Sequence, residues 1–367
     1  MIKVGTVFSG IGAAEFALKR LNVKHKIVFA CDNGNIIFPY DKEREYQQVR
    51  NLKTIKEKKE YVDNLYSKNS SRHNFVRDSF LANYDCKLDD FFQDVILFDG
   101  TPFRDKIDLF IGGSPCQSFS IVGSQKGFND RRGNLFFEFT RLVEEIQPTV
   151  FIYENVHGVL NNSNKETWKI MEEEFNRLKY RFFPTVLNAK DYGIPQNRRR
   201  LFVVGFKDNS IDYKIRDPQN LKYSMQDFLI EACDYGGMTY DKNGSVVFSG
   251  KGGTIDPNYF LSKLVNVYVM KSGTKNWSQS PKTDLPIARP LLSTMGNHHR
   301  AGVDNYVTVN GKLRALSERE CHRLMGFTDE YKIVVSKAQA YKQAGNSIVV
   351  DVLITIIKSI FDTGVFK

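Results

Sequence analysis

Residues 112–120 read GGSPCQSFS and place Cys116 between a proline and a glutamine, after two glycines and a serine. The apolar run Ile107–Ile111 comes just before, and a short run of this kind predicts a buried strand. Cys116 is therefore expected where a strand ends, and in open α/β sheets that edge binds ligands. Its surroundings alone leave three roles open: a nucleophile, a metal ligand or a residue without chemistry.

The other cysteines narrow these roles. The five in the chain are odd in number, widely scattered and include no CxxC pair. This pattern argues against a disulfide framework or a zinc site, so we expect no metal and a reducing, cytoplasmic location. A Cys–His hydrolase would need a histidine near Cys116, and none of the six histidines lies in a motif that requires one.

A second chemical signal is the stretch VFSGIG (7–12), which joins a predicted strand to a helix through Gly10 and Gly12. A glycine turn lets the backbone approach a ligand and directs free amide groups at it. Asp32 ends the next predicted strand, where it can accept hydrogen bonds from ribose hydroxyls. Glu15 replaces the third glycine of a dinucleotide fingerprint, which disfavours a nicotinamide-dependent enzyme. Together these features predict an adenosine-bearing cofactor without naming it.

Three further stretches place polar side chains near predicted strand or helix ends. YENV puts Glu154 and Asn155 at the carboxyl end of a strand, both facing the predicted crevice. PQNRRRLF puts Arg198 and Arg200 on one face of an entering strand, and QAGNS makes 345–347 a polar turn that opens the final apolar helix. Taken singly, each also has a structural explanation as a helix cap or a solvated strand edge.

The first half of the chain must position these residues, and it alternates short β-like runs with amphipathic stretches. That pattern predicts an α/β fold, a Rossmann-like sheet with helices on both faces. The predicted strands are 3–8, 26–32, 107–113, 149–156 and 199–206. A helix is predicted over 166–178, and the apolar C-terminal helix is expected to be buried against the first domain.

The organisation changes along the chain. We expect a catalytic and cofactor-binding domain over 1–207, which carries a charged insertion at about 35–75. The insertion is interpreted as a solvated helical segment, and a nucleic-acid-binding arm is the less favoured alternative. Glycine clusters and short β-branched runs over 208–312 predict a smaller, irregular, β-rich domain, and 313–367 returns to the catalytic domain.

Charge points to the partner. Lys and Arg exceed Asp and Glu by ten, a balance that favours a polyanionic partner, chiefly nucleic acid, although many proteins are basic for other reasons. The N-terminus lacks the long apolar stretch of a signal peptide, and no run is expected to span a membrane.

Taken in order, the motifs resemble the cytosine-5 DNA methyltransferases of bacterial restriction–modification systems. The resemblance covers nearly the whole chain except 35–75 and most of 208–288. Seven motifs in the same order are a specific match, whereas one proline–cysteine pair would be common. The matching stretches are FSGIG, GGSPCQSFS, GFNDRRGNLFFEF, ENV, VLNAKDYGIPQNRRRLFVVG, RALSERECHRLMGF and QAGNSI.

The resemblance implies a catalytic set. Cys116 would add to carbon 6 of a cytosine flipped out of the duplex. Glu154 would give N3 a proton or a strong hydrogen bond. Arg198 and Arg200 would hold O2 of the base and lower the pKa of the thiol. The segment 118–133 resembles the family's mobile loop over the flipped base.

The resemblance also implies that S-adenosylmethionine is the methyl donor and that S-adenosylhomocysteine is the product. The resemblance implies that Phe8 and Asp94 contact the adenine and that Asp32 contacts the ribose. Many members carry glutamate at the position of Asp32, but the shorter aspartate carboxylate still reaches the ribose. The full implied cofactor set is Phe8, Gly10, Gly12, Asp32, Asp94, Val95, Asn346 and Ser347.

The implied substrate is double-stranded DNA, which a monomer would read through the 208–312 domain in the major groove. A cognate restriction endonuclease would act separately, and DNA binding would associate the enzyme with the nucleoid. Two alternatives stay open. A relative acting on RNA is disfavoured by the large 208–310 segment, and a binding module without catalysis is disfavoured by the intact Cys116, Glu154, Arg198 and Asn346.

Overall fold

The computed structural model describes residues 1–114, 134–160, 165–231, 237–250, 252–273 and 280–366. A seven-stranded sheet of order β3-β2-β1-β4-β5-β7-β6 forms its centre. Strands β1 to β5 are parallel, and β7 runs antiparallel to both of its neighbours. The strands are β1 Ile2–Val7, β2 His25–Cys31, β3 Phe91–Phe92, β4 Leu109–Gly112, β5 Val150–Val156, β6 Arg181–Asn188 and β7 Arg199–Phe206.

Helices cover both faces, so the predicted fold class is confirmed. The helices are α1 Ala13–Arg20, α2 Lys42–Asn51, α3 Ile55–Asn69, α4 Phe75–Asn83, α5 Leu135–Ile146, α6 Lys165–Arg177, α7 Lys263–Val269, α8 Glu318–Arg323, α9 Lys337–Asn346 and α10 Val350–Asp362. The five predicted strands correspond to β1, β2, β4, β5 and β7. Prediction missed β3, which has only two residues, and β6, which is an edge strand and tolerates Pro184 for that reason.

Each face of the sheet has its own apolar core. On one face α5 packs its aromatic side chains on the strands, and the ring of Phe139 stacks on that of Phe110 at 5.1 Å. On the other face α1 and α10 pack together over β1 and β4. A buried ion pair joins these two helices, since Arg20 donates to both oxygens of Asp351 at 2.8 Å. Both layers hold the carboxyl ends of the strands in fixed positions.

The final apolar helix is buried, as expected, but the turn before it differs from the prediction. Gly345 and Asn346 end α9, and only 347–349 separate it from α10. By length and composition alone, the stretch Lys337–Asp362 is apolar enough to cross a membrane. Of its apolar window, 78% is buried inside the protein, as in the core helix of a globular domain.

The charged insertion is helical, as predicted, and forms α2 and α3. Asp41 caps α2, and Thr54 and Glu57 form a capping box at the start of α3. The insertion is not merely solvated, because Val49, Val62 and Tyr66 are buried.

The region 208–312 contains short elements. Two antiparallel pairs are described there and at its border: β8 Gly237–Tyr240 with β9 Val246–Ser249, and β10 Tyr306–Val309 with β11 Lys312–Ala315. The β8–β9 hairpin packs on the layer beside the central sheet, since Met238 and Val246 belong to the same apolar core as β1. A small separate cluster forms around Val269, Ala301 and Tyr306.

Candidate active site

A cleft opens at the carboxyl ends of β1 and β4. The chain leaves β1 toward β2 and leaves β4 toward β5, so the strand order reverses between these two neighbours. Ligands of open α/β sheets bind at such a switch point. The lining comes from the turn after β1, the start of α1, the end of β4, Glu154 of β5 and residues 346–348.

The turn after β1 has an unusual backbone conformation. Phe8, Gly10 and Gly12 all have positive φ, at 53°, 53° and 78°. For Phe8 this region is uncommon, and surrounding contacts must hold it there. The amide of Gly10 donates to Asp32 at 2.9 Å, and the hydroxyl of Tyr84 donates to the Gly12 carbonyl at 2.6 Å. The predicted neighbours Gly10 and Asp32 are therefore in contact.

Asp32 lies directly after β2, and its carboxylate has a defined setting. It accepts from the amide of Gly34 at 2.8 Å as well as from that of Gly10. Burial raises the pKa of Asp32, and these two amides oppose the rise. A carboxylate accepts about four hydrogen bonds, so acceptor capacity remains for ribose hydroxyls.

Glu154 lies near the end of β5 and lines the cleft with a side chain that is 14% exposed. Its Oε1 lies 3.2 Å from Nε of Arg200, which β7 supplies from the adjacent antiparallel strand. Burial raises the pKa of Glu154, and Arg200 and Arg198 partly oppose the rise. Gly113 makes this position possible, because a Cβ there would lie 2.7 Å from Oε2 of Glu154.

Asn155 does not share the cleft with Glu154, contrary to the prediction, because successive side chains on a strand point to opposite faces. Its amide nitrogen donates to the hydroxyl of Tyr153 at 2.7 Å, and that hydroxyl lies 2.6 Å from the hydroxyl of Ser114. Asn155 and Tyr153 thus support the backbone two residues before Cys116.

Arg198 has a different setting from Arg200. It precedes β7, and its guanidinium donates to the carbonyls of Leu291 at 2.9 Å, Gly345 at 2.9 Å and Ser347 at 3.0 Å. Burial, with Arg200 nearby, lowers the pKa of Arg198 to about 9, so it stays charged at neutral pH. Arg198 therefore joins the end of the 208–312 region to the turn before α10.

That turn borders the cleft. Asn346 is exposed and Ser347 is buried, and both line the cleft opposite the glycine turn. Gly345 packs so closely that a Cβ would lie 2.3 Å from the backbone of Leu292 and Ser293. The predicted Asn346–Ser347 contribution therefore reaches the same cleft as Gly10.

Asp94 and Val95 lie after β3, in a loop beside the cleft. The Asp94 carboxylate accepts hydrogen bonds from Tyr40 and Tyr66 of the insertion, and the Val95 carbonyl accepts one from Arg141 at 2.9 Å. Phe8 and Val95 share one apolar cluster. Nothing in the sequence signalled the two tyrosine partners.

Cys116 and the segment 118–133 lie outside the described residues. The chain can be followed to Ser114, directly after the cleft-lining Gly113. Sequence reasoning assigned Glu15 no site role, although it lines the cleft with Oε1 accepting from Thr6 at 2.9 Å. In the part of the chain that the structure describes, no three His, Cys, Asp or Glu side chains are grouped to hold a metal.

Comparison with known proteins agrees with this geometry. The family described as C-5 cytosine-specific DNA methylase matches residues 69–362. Type II methyltransferase M.HhaI of Haemophilus parahaemolyticus is 36% identical over 248 residues, which are 67% of this chain and 73% of that protein. Type II methyltransferase M.FnuDI of Fusobacterium nucleatum is 35% identical over 275 residues, with coverage of 70% and 77%.

The fold also matches solved structures. The crystal structure of the Schizosaccharomyces pombe Dnmt2 methyltransferase superposes with a TM-score of 0.67 over 99% of both chains. Sequence identity is 16%, so this similarity concerns the fold alone.

Proposed function

The chain belongs to the C-5 cytosine-specific DNA methylase family and is a DNA cytosine-5 methyltransferase of the restriction–modification type. From this premise we propose how its residues perform the reaction. The observation that carries the proposal is the cleft in which Glu154 faces the glycine turn of β1 across the end of β4. The motif with Cys116 follows that strand directly.

Carbon 5 of cytosine is a poor nucleophile, so the ring must first be activated. We assign this to Cys116, whose thiolate forms a bond to carbon 6 and pushes the ring electrons toward carbon 5. Carbon 5 then takes the methyl group, a base removes the carbon 5 proton, and the thiolate leaves as the double bond re-forms. A stacked base hides carbon 6, so the target cytosine must be flipped out of the duplex first.

Glu154 supports the addition by acting on N3 of the same ring. The negative charge that addition creates is neutralised when Glu154 delivers a proton to N3, and the carboxylate takes it back on elimination. The raised pKa of Glu154 supports this role, since a buried carboxyl retains its proton more readily.

We assign different roles to Arg200 and Arg198. Arg200 contacts Glu154, so it orients the carboxyl and is within reach of the O2 position beside N3. Arg198 donates to three backbone carbonyls, which supports a positioning role for this residue instead of direct contact with the base.

S-adenosylmethionine, bound in the cleft, would supply an electrophilic methyl group on a sulfonium sulfur. The residues present fit it. The turn after β1, Asn346 and Ser347 line the cleft for the amino-acid end, and the Asp32 carboxylate keeps acceptor capacity for ribose hydroxyls. The apolar surface of Phe8 and Val95 suits an adenine ring.

Double-stranded DNA is the proposed substrate, and we assign sequence reading to the 208–312 domain, with 1–207 and 313–367 as the catalytic part. The type II relatives favour DNA over RNA. We further propose that the enzyme acts as a monomer and that a cognate endonuclease acts separately.

Incubation with tritiated S-adenosylmethionine and either DNA or transfer RNA tests the proposal. Label is expected in DNA and not in transfer RNA, and label in transfer RNA alone would contradict the substrate assignment. Expression in a methylation-free host, followed by mapping of 5-methylcytosine at base resolution, then identifies the recognition sequence.

A further inference from the structure

The helical insertion packs on one loop of the catalytic part, residues 94–99, between β3 and β4. The buried residues of the insertion and Leu97 of this loop form a single apolar cluster. Val95, in the same loop, belongs to the cluster against which Phe8 packs. This loop therefore contacts both the insertion and the apolar cluster at the proposed adenine end of the cleft.

Four donors surround the carboxylate of Asp94. The hydroxyls of Tyr40 and Tyr66 donate to Oδ2 at 2.7 and 2.9 Å, and the amides of Ile96 and Leu97 approach Oδ1 at 2.8 and 3.4 Å. A carboxylate offers about four acceptor positions, and these donors occupy them. Burial, with Asp94 nearby, raises the pKa of both phenols, so the tyrosines remain donors.

Charged side chains hold the far end of the same loop. Arg50 of α2 and Lys58 of α3 both pair with Asp99, and Arg50 also pairs with Glu145 of α5. These groups are only partly exposed, so water screens the pairs less than it would at an open surface.

Helix α5 completes the enclosure from the opposite side. Arg141 donates to the carbonyls of Val95 at 2.9 Å and Phe98 at 3.1 Å, and Glu145 accepts from the amide of Gly100 at 2.8 Å. The loop is therefore held between α5 and the insertion by hydrogen bonds to its backbone and to both of its aspartates.

We propose that the insertion is a positioning element for the cofactor site, in which Tyr40 and Tyr66 hold Asp94 and thereby fix the backbone of 95–97 beside the adenine. In this proposal Asp94 is a positioning residue, because its protein donors tie the loop to the insertion. The inference rests on the proposed function, because it assumes that S-adenosylmethionine binds in the cleft.

The test is calorimetric titration of the full-length protein with S-adenosylhomocysteine, which reports binding without turnover. The double variant Tyr40→Phe/Tyr66→Phe removes only the two hydroxyls. We expect its dissociation constant to rise about tenfold, equivalent to about 1.4 kcal/mol. At saturating S-adenosylmethionine its kcat should stay within about twofold of wild type, so the loss appears in KM.

Tyr61→Phe is the matched control, because the hydroxyl of Tyr61 donates to Glu45 at 2.6 Å within the insertion itself. Its dissociation constant should not change. If the double variant fails to fold, Tyr40→Phe alone replaces it, with an expected rise of about threefold.

The outcomes separate the two proposals. A wild-type protein that does not bind S-adenosylhomocysteine contradicts the proposed function. Wild-type binding with equal affinity in the tyrosine variant overturns the positioning role, and so does a fall in kcat at an unchanged dissociation constant. Equal weakening in Tyr61→Phe also overturns it, since the effect would then come from general loss of insertion stability.

Discussion

The carboxyl end of the central sheet and the 208–312 region are built differently. Around Glu154, neighbouring strands, Gly113 and two arginines leave the side chain little freedom. In 208–312, by contrast, the separate apolar cluster is small, and α7 leaves Leu264 85% exposed and Val267 64% exposed. The first region encloses its functional side chain, and the second leaves part of its apolar surface exposed to solvent.

The difference suits the two tasks that we propose for these regions. Proton delivery to a ring atom requires a carboxyl held within a fraction of an ångström by packed neighbours. Reading a DNA sequence requires donors and acceptors that reach outward to base edges, and loops supply these at little cost to the core. Substitutions in the sheet should therefore alter rate, and exchanges in 208–312 should alter specificity.

The largest effect should come from Glu154→Gln. An amide cannot deliver a proton to N3, so kcat should fall by about 10² to 10⁴-fold. Binding of S-adenosylhomocysteine and DNA should persist, because the amide has nearly the same shape. Single-turnover methylation measures the change, and a kcat near that of wild type would leave Glu154 with a structural role only.

The same variant has a pH signature. Burial raises the pKa of Glu154, so the protonated acid persists to higher pH than in an ordinary glutamate. The wild-type rate should decline as pH rises through that pKa, and the residual rate of Glu154→Gln should lack this decline.

The substitutions Gly113→Ala and Gly237→Ala each add one methyl group, and they compare how much room the two regions leave for it. A Cβ at 113 would lie 2.7 Å from the Glu154 carboxylate, whereas one at 237 meets its nearest neighbour at 3.7 Å. We expect Gly113→Ala to lower kcat by about tenfold or more through displacement of Glu154. Gly237→Ala should retain the wild-type rate, and equal losses in both would contradict the comparison.

Exchange of 212–288 for the matching segment of a relative should change which sequence is methylated while the reaction continues. Binding should also weaken steeply with salt, by roughly one log-log unit per phosphate contact. Base-resolution mapping of 5-methylcytosine reads the outcome. A hybrid that still methylates the original site would place recognition outside 212–288.

The smallest effect concerns stability. Burial raises the pKa of Glu15 to about 7, so its carboxyl binds a proton more tightly in the folded than in the unfolded chain. The resulting penalty is small below the unfolded pKa and complete above about pH 7. Glu15→Gln should therefore raise the free energy of unfolding at pH 8 more than at pH 5, by at most about 3 kcal/mol. Denaturant unfolding at both pH values measures it. The exposed Glu144→Gln serves as the control and should show no such difference.

Sequence patterns predicted what depends on local composition. Apolar runs located five strands, and the glycine turn located the cleft. Strand β3 was missed because it has only two residues, and β6 because Pro184 is unusual within a strand. Long-range contacts could not be read from patterns. The carbonyl partners of Arg198 lie 93 to 149 residues away, and Tyr40 lies 54 residues from Asp94. Such partners are set by the packing of separate elements and leave no periodic signal.

Covalent catalysis through Cys116 is the central claim, and DNA with 5-fluorocytosine at the target tests it most directly. Fluorine cannot leave as a cation, so elimination should stall after methyl transfer with the enzyme bonded to carbon 6. We predict a complex that survives denaturing electrophoresis, requires S-adenosylmethionine and is absent for Cys116→Ser. The absence of such a complex with the wild-type protein, on a DNA sequence that it otherwise methylates, would contradict the covalent mechanism.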